Sequence, residues 1–187
     1  MNNEVIGEPF IPQRTLLGPG PSNVNPRVLQ AMLSPLLGYL DPDFLKLMDD
    51  VSSMLRQVFR TKNPLTFAVS GTGSAGMESG FCNLLEPDDV VVIAVNGFFG
   101  ARMADIASRQ GAQVFRVDSP WGQPNDTDSL RKEMRNHQSV KMLAAVHAET
   151  STGVLQPLEE IATIAKEHDS LLLVDAVTSL GGSDLNI

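Results

Sequence analysis

Leu65-Thr66-Phe67-Ala68-Val69-Ser70-Gly71-Thr72-Gly73-Ser74-Ala75-Gly76 reads in one pass as a buried strand, a glycine-rich turn and the start of a helix. Backbone N–H groups at a helix N-terminus and the positive end of the helix dipole favour an anion, and glycines let it approach without meeting a Cβ. The hydroxyls of Thr72 and Ser74 suit a single terminal phosphate. A glycine turn serving only tight packing of strand against helix accounts for the same residues. The Gly-x-Gly-x-x-Gly spacing from Gly71 to Gly76 also matches a dinucleotide-binding fingerprint. That fingerprint expects an acidic residue at the end of the next strand, where Asn96-Gly97 stands instead.

Outward from this stretch the chain alternates. The patterns predict strands at 65–69, 90–95, 113–117, 141–147 and 171–174, and helices at about 74–85, 98–110, 127–136 and 157–168. The strands are continuous apolar runs, such as Val90-Val91-Val92-Ile93-Ala94-Val95, as burial on both faces of a parallel sheet requires. The expected fold is therefore α/β: an open, mostly parallel, doubly wound sheet flanked by helices. Ligands of such sheets sit beyond the C-terminal strand ends. Thr72 to Ser74, Asn96 to Phe99, His147 to Thr150 and Asp175 all fall there.

Leu171-Leu172-Leu173-Val174-Asp175 delivers one carboxylate at a strand end. Such an Asp often caps the next turn. A carboxylate beside a pyridine nitrogen also favours the pyridinium, which makes the ring of pyridoxal phosphate an electron sink. Phosphate cup and pyridinium partner on one sheet could grip both ends of that cofactor. Phe99, opening a helix at the ligand edge, could stack on a flat ring, although one of Phe98 and Phe99 is expected in the core. Thr150, in His147-Ala148-Glu149-Thr150-Ser151-Thr152-Gly153, could donate to a ring oxygen or phosphate, or simply shape a turn. No metal is expected, with three histidines, no His-x-x-x-His pair and no cysteine cluster. A hydrolase triad is set aside because Ser70 to Gly76 lacks the Gly-x-Ser-x-Gly elbow.

The N-terminal forty residues are rich in Pro and Gly and predict an irregular arm with a short helix after Asn25-Pro26. Phe44, Leu47, Met48, Val51, Leu55, Val58 and Phe59 follow the spacing of one buried helical face. The predicted organisation is an arm with a short helix over 1–40 and an α/β domain over 41–187. Fourteen basic against twenty-two acidic residues give a formal charge of −8, which opposes nucleic acid and anionic membranes as partners. The single cysteine, Cys82, is expected as a packed thiol in a reducing compartment. Met1 to Pro12 lacks the pattern of a secretory signal, no run reaches the roughly twenty apolar residues that span a bilayer, and Leu185-Asn186-Ile187 does not read as a peroxisomal address. A cytoplasmic location follows, with an organellar one open for a longer parent.

Together the motifs resemble the class V aminotransferases of pyridoxal-phosphate fold type I, and within them the alanine–glyoxylate and serine–glyoxylate (serine–pyruvate) aminotransferases. The resemblance runs from about Leu16 to Leu185. It is carried by Leu17-Gly18-Pro19-Gly20-Pro21-Ser22, Thr61-Lys62-Asn63-Pro64-Leu65, Ser70-Gly71-Thr72-Gly73, Asn83-Leu84-Leu85-Glu86-Pro87, the run Glu149 to Leu158 and the run Leu171 to Gly182. It implies that Thr72, Gly73 and Ser74 bind the cofactor phosphate, that Phe99 stacks on the ring, and that Val177 covers the other face. Thr150 would bond near the ring substituents, Asp175 would pair with the pyridine nitrogen, and Gly18, Pro19 and Gly20 would lie beside the substrate.

The implied reaction passes an amino group from alanine or serine to glyoxylate, in a homodimer. Cysteine desulfurases and aminoethylphosphonate aminotransferases share parts of the pattern. The family also implies a Schiff-base lysine some tens of residues beyond the Asp and a carboxylate-binding arginine in a smaller C-terminal domain. Lys46, Lys62, Lys132, Lys141 and Lys166 do not occupy that place. The resemblance implies a fragment, inactive alone, of a pyridoxal-phosphate aminotransferase, with 41–187 a partial large cofactor-binding domain and the small C-terminal domain absent. A dinucleotide-binding oxidoreductase domain and a non-catalytic fragment are the alternatives.

Overall fold

The computed structural model describes residues 10–185, so the readings of Met1 to Pro9 and of the last two residues lie outside it. The chain forms two units, Met1–Gly38 and Tyr39–Ile187. In the first, helix α1 (Pro26–Ala31) starts where the motif places it: Asn25 accepts from the Arg27 N–H, and Pro26 sits at the first helical position. The Asn23 side chain closes the arm on itself, accepting from Leu16 N–H at 2.8 Å and donating to the Arg14 carbonyl at 2.9 Å. Every described residue of this unit is exposed, so it has no core of its own.

The second unit opens with α2 (Pro42–Val58), capped by Asp41, whose carboxylate accepts from the Asp43 N–H at 2.9 Å. Its apolar stripe is present but not enclosed. No residue of α2 is buried; Leu47 and Val58 are exposed, and Phe44, Met48, Val51, Leu55 and Phe59 are half-buried.

There follow α3 (Gly73–Leu84), β1 (Val90–Val95), α4 (Phe98–Arg109), β2 (Gln113–Asp118), α5 (Thr127–Arg135), β3 (Met142–Val146), a small antiparallel pair β4 (Ala148–Glu149) and β5 (Val154–Leu155), α6 (Glu159–Glu167) and β6 (Leu171–Asp175). Four strands form a parallel sheet in the order β2-β1-β3-β6. β1 has its sequence neighbour β2 on one side and β3 on the other, so the strand order reverses between β1 and β3. Successive side chains point to opposite faces. Val91, Ile93 and Val95 pack with Met142, Ala144 and Val146 against Met77 and Phe81 of α3 and Met103 and Ala107 of α4. Val92, Ala94, Leu143 and Ala145 pack on the other face against Leu130 and Met134 of α5 and Ile161 and Ile164 of α6. The apolar runs are buried on both faces for this reason.

Besides the face of α2, two further expectations are corrected. Residues 65–69 form no strand: a ladder needs a neighbour, and this segment has none among the described residues. Leu65, Phe67 and Val69 are exposed in consequence. Cys82 is exposed too, because α3 turns Met77 and Phe81 to the sheet and leaves Cys82 on its outer side.

Candidate functional site

A cavity of about 170 Å³ opens at the C-terminal side of the sheet, lined by Thr72, Gly73, Ser74, Met77, Phe99, Thr150, Asp175 and Val177. One wall is the start of α3. Thr72 occupies the cap position without making a side-chain cap, and the N–H groups of Gly73 and Ser74 meet no acceptor among the described residues. The helix therefore presents donors and the positive end of its dipole to the cavity. A Cβ at Gly73 would lie 2.9 Å from Val177 Cγ2, so only glycine lets α3 and the loop after β6 approach this closely. Ser74 Oγ accepts from Arg102 at 2.7 Å.

The opposite wall is the end of β6. Asp175 Oδ1 accepts from the Val177 N–H at 2.9 Å, and Oδ2 meets no donor among the described residues. Burial raises this carboxyl above its ordinary range; the Val177 bond pulls it back, and the negative charge of Glu149 pushes it up again. Thr150 and the neighbouring Thr178 share a hydrogen bond between their hydroxyls, which fixes the Thr150 side chain at the rim.

Phe99 reaches the cavity from the first turn of α4. The start of that helix has no side-chain cap of its own, since Gly97 occupies the cap position. Its N–H groups are met from β4 and the turn after it: Glu149 Oε2 accepts from Phe99 at 3.1 Å and Gly100 at 3.2 Å, and Ser151 Oγ accepts from Phe98 at 2.9 Å.

A family model for class-V aminotransferases matches residues 16–187. The chain belongs to the class-V aminotransferases. It is 42% identical over 180 residues to the alanine–glyoxylate aminotransferase of Rattus norvegicus, covering 96% of this chain and 43% of the relative. It is 39% identical over 176 residues to the (S)-ureidoglycine–glyoxylate transaminase of Bacillus subtilis, covering 94% and 42%. Among solved structures, the alanine–glyoxylate aminotransferase of a Nostoc species superposes with a TM-score of 0.92 at 51% identity, covering 99% of this chain and 50% of that one. The chain thus spans less than half the length of these curated relatives. The α/β architecture with its mostly parallel sheet is that of pyridoxal-phosphate enzymes, and pyridoxal phosphate is the cofactor of the family.

Against this class-V frame, the structure gathers Thr72, Gly73, Ser74, Phe99, Thr150, Asp175 and Val177 around one cavity. Gly18, Pro19 and Gly20 belong to the first unit, whereas the cavity is built from the second alone. None of the lysines lines it. No cluster of His, Cys, Asp and Glu able to hold a metal occurs among the described residues. His147 is buried and tied through Nδ1 to Ser179 Oγ at 2.9 Å, and burial lowers its pKa.

Arg102 and the capping role of Glu149 were not legible in the sequence. Arg102 carries no motif and gains its partner only because α3 and α4 lie side by side. Glu149 carried one usable signal, a charge directly after an apolar run and next to a Ser/Thr cluster.

Proposed function

We propose that this chain is the cofactor-gripping part of an aminotransferase that passes an amino group from alanine or serine to glyoxylate. The observation that carries the proposal is that free N–H donors of α3 and an unpaired carboxylate oxygen of Asp175 face the same cavity. Those groups match the two ends of pyridoxal phosphate: an anion, and a basic ring nitrogen.

Thr72, Gly73 and Ser74 hold the phosphate, and Arg102 adds positive charge behind Ser74. Of the cavity-lining residues, Phe99 would stack on the cofactor ring, Val177 would cover its other face, and Thr150 would bond near the ring substituents. Asp175 keeps a proton on the ring nitrogen, its orientation set by the Val177 N–H. When bound, the cofactor supplies a sink for the electron pair left at the substrate Cα. Gly18, Pro19 and Gly20 lie beside the amino-acid substrate in this reading, which for them rests on the resemblance alone. Alanine and glyoxylate are the pair in the names of several relatives, which supports that choice.

A homodimer is proposed as the working state. Support comes from the apolar residues that α2 leaves exposed, Leu45, Leu47, Met54 and Val58. A cytoplasmic location is proposed from the single cysteine. No helix among the described residues is long and apolar enough to cross a membrane.

Titration of the chain with pyridoxal phosphate, followed by near-ultraviolet and visible absorbance, tests the reading against the dinucleotide alternative. A saturable change with pyridoxal phosphate, none with NAD, and a loss of affinity of about ten-fold or more in Asp175→Ala are expected. Saturable NAD binding without a response to pyridoxal phosphate overturns it. With no lysine in the cavity, the chain alone is expected to bind the cofactor without converting alanine and glyoxylate.

A further inference from the structure

Glu149 is 1% exposed, and four hydrogen bonds converge on its carboxylate. Oε2 takes the Phe99 and Gly100 N–H groups at 3.1 and 3.2 Å; Oε1 takes the Ser151 N–H at 3.1 Å and the Ser151 hydroxyl at 2.7 Å. Four donors and no acceptor face the side chain, the pattern an ionised carboxylate satisfies. Ser151 extends the network by accepting from the Phe98 N–H at 2.9 Å. The first three N–H groups of α4 are thus met from another element, about fifty residues away in the chain.

The close approach is built into the backbone. A Cβ on Gly97 would lie 2.4 Å from Glu149 Cγ, 2.5 Å from Cδ and 2.6 Å from Ser151 Oγ. Gly97 is extended, so the glycine serves space and not conformation. The contact bridges the ends of β1 and β3, where the strand order reverses.

The geometry points to Glu149 as a positioning residue that, by holding the Phe99 N–H, fixes the backbone from which the Phe99 ring is presented to the cofactor. This rests on the reading of the cavity as the pyridoxal-phosphate site. Glu149 does not line the cavity; Phe99 and Thr150 do. Capping by a buried charge in trans fixes the first turn of α4 more firmly than a local serine or asparagine cap, because the Glu149 backbone is itself held in β4, paired with Val154. An aromatic platform preorganised in this way loses little rotational freedom when a ring settles on it.

The test is a double-mutant cycle on the chain with pyridoxal phosphate, read by cofactor affinity and by visible-region circular dichroism of the bound cofactor. Glu149→Gln keeps the shape and turns one acceptor into a donor facing N–H groups. It is expected to raise the dissociation constant about ten-fold and to at least halve the dichroic band. In a Phe99→Leu background the same substitution is expected to change neither.

An equal effect in both backgrounds shows that Glu149 acts other than through Phe99 and overturns the inference, as do an unchanged affinity and band in Glu149→Gln. If Glu149→Gln does not fold, Ser151→Ala decides. It removes one donor to Glu149 and the acceptor of Phe98, so a rise of about three-fold that vanishes beside Phe99→Leu supports the inference, and no change overturns it. Failure of the unsubstituted chain to bind pyridoxal phosphate sinks the site reading itself, and the inference with it.

Discussion

Arg102 on α4 donates to Ser74 Oγ on α3 at 2.7 Å, joining the two helices whose first turns border the cavity. Its guanidinium also lies 4.9 Å from the Phe98 ring centroid and 5.6 Å from that of Phe99. One cation therefore stands behind both the proposed phosphate cup and the proposed ring platform. Arg102→Met is expected to weaken pyridoxal phosphate binding about ten-fold, as for loss of a charge-assisted contact. Pyridoxal, which has no phosphate, should weaken much less. Parallel titrations check this, and equal losses for the two ligands would show that Arg102 acts on the ring platform alone.

Gly97→Ala places a methyl group inside the van der Waals shells of Glu149 and Ser151. The carboxylate cannot retreat without releasing the N–H groups of Phe99 and Gly100. The substitution is expected to destabilise the chain by about 1–3 kcal/mol. A lower urea midpoint at unchanged m-value is the signature.

Gly76 and Gly80 lie one turn apart on α3 and differ in what a methyl group would meet. At Gly76 nothing stands within 4 Å, whereas at Gly80 the Leu173 Cδ1 is 2.8 Å away. Gly76 borders a hollow of about 300 Å³ between α3 and β6, so there is room. Gly76→Ala is expected to stabilise the chain by about 0.5–1 kcal/mol through helix propensity. Gly80→Ala is expected to gain less, because Leu173 must move. Thermal or urea unfolding of the pair checks the order.

Asp175 links stability to pH with a definite sign. Its folded carboxyl is held above the ordinary value of 3.8, chiefly by burial, so the folded chain binds more protons than the unfolded one between 3.8 and that raised value. Its contribution is greatest below 3.8 and falls as pH rises through the folded pKa. His147 works in the opposite sense: burial holds it below 6.5, so its contribution falls as pH drops below 6.5. Comparing the wild type with Asp175→Asn cancels the His147 effect. The unfolding free energy of the wild type relative to Asp175→Asn is expected to decline as pH rises from 3.8 through the raised folded pKa. Bound pyridoxal phosphate should reverse the trend, since a ring N–H favours the carboxylate. A difference independent of pH would remove Asp175 as the titrating group.

Local signals were read correctly where the cause was local. Asn25-Pro26 and Asp41-Pro42 start helices because cap and proline act within one turn. Val90 to Val95 and Met142 to Val146 are interior strands because an unbroken apolar run has no face to give to water. Residues 65–69 carry a similar run and stay unpaired, since a strand is a property of two chain segments and one segment cannot supply its neighbour.

By itself the amino-acid order determined which residues are candidates for the site: a glycine turn with hydroxyls at Thr72 and Ser74, an aromatic at Phe99, and a strand-end acid at Asp175. Their types, the helix start at Gly73 and the strand end at Asp175 follow from short-range pattern, whereas the strand expected before Thr72 does not form. Tertiary structure decided that they share one hollow, that Arg102 stands behind Ser74, and that Glu149 holds the backbone of Phe99. Those relationships join residues some 30 to 100 positions apart in the chain, and they exist only because the parallel sheet brings the ends of β1, β3 and β6 to one side, where the start of α3 meets them.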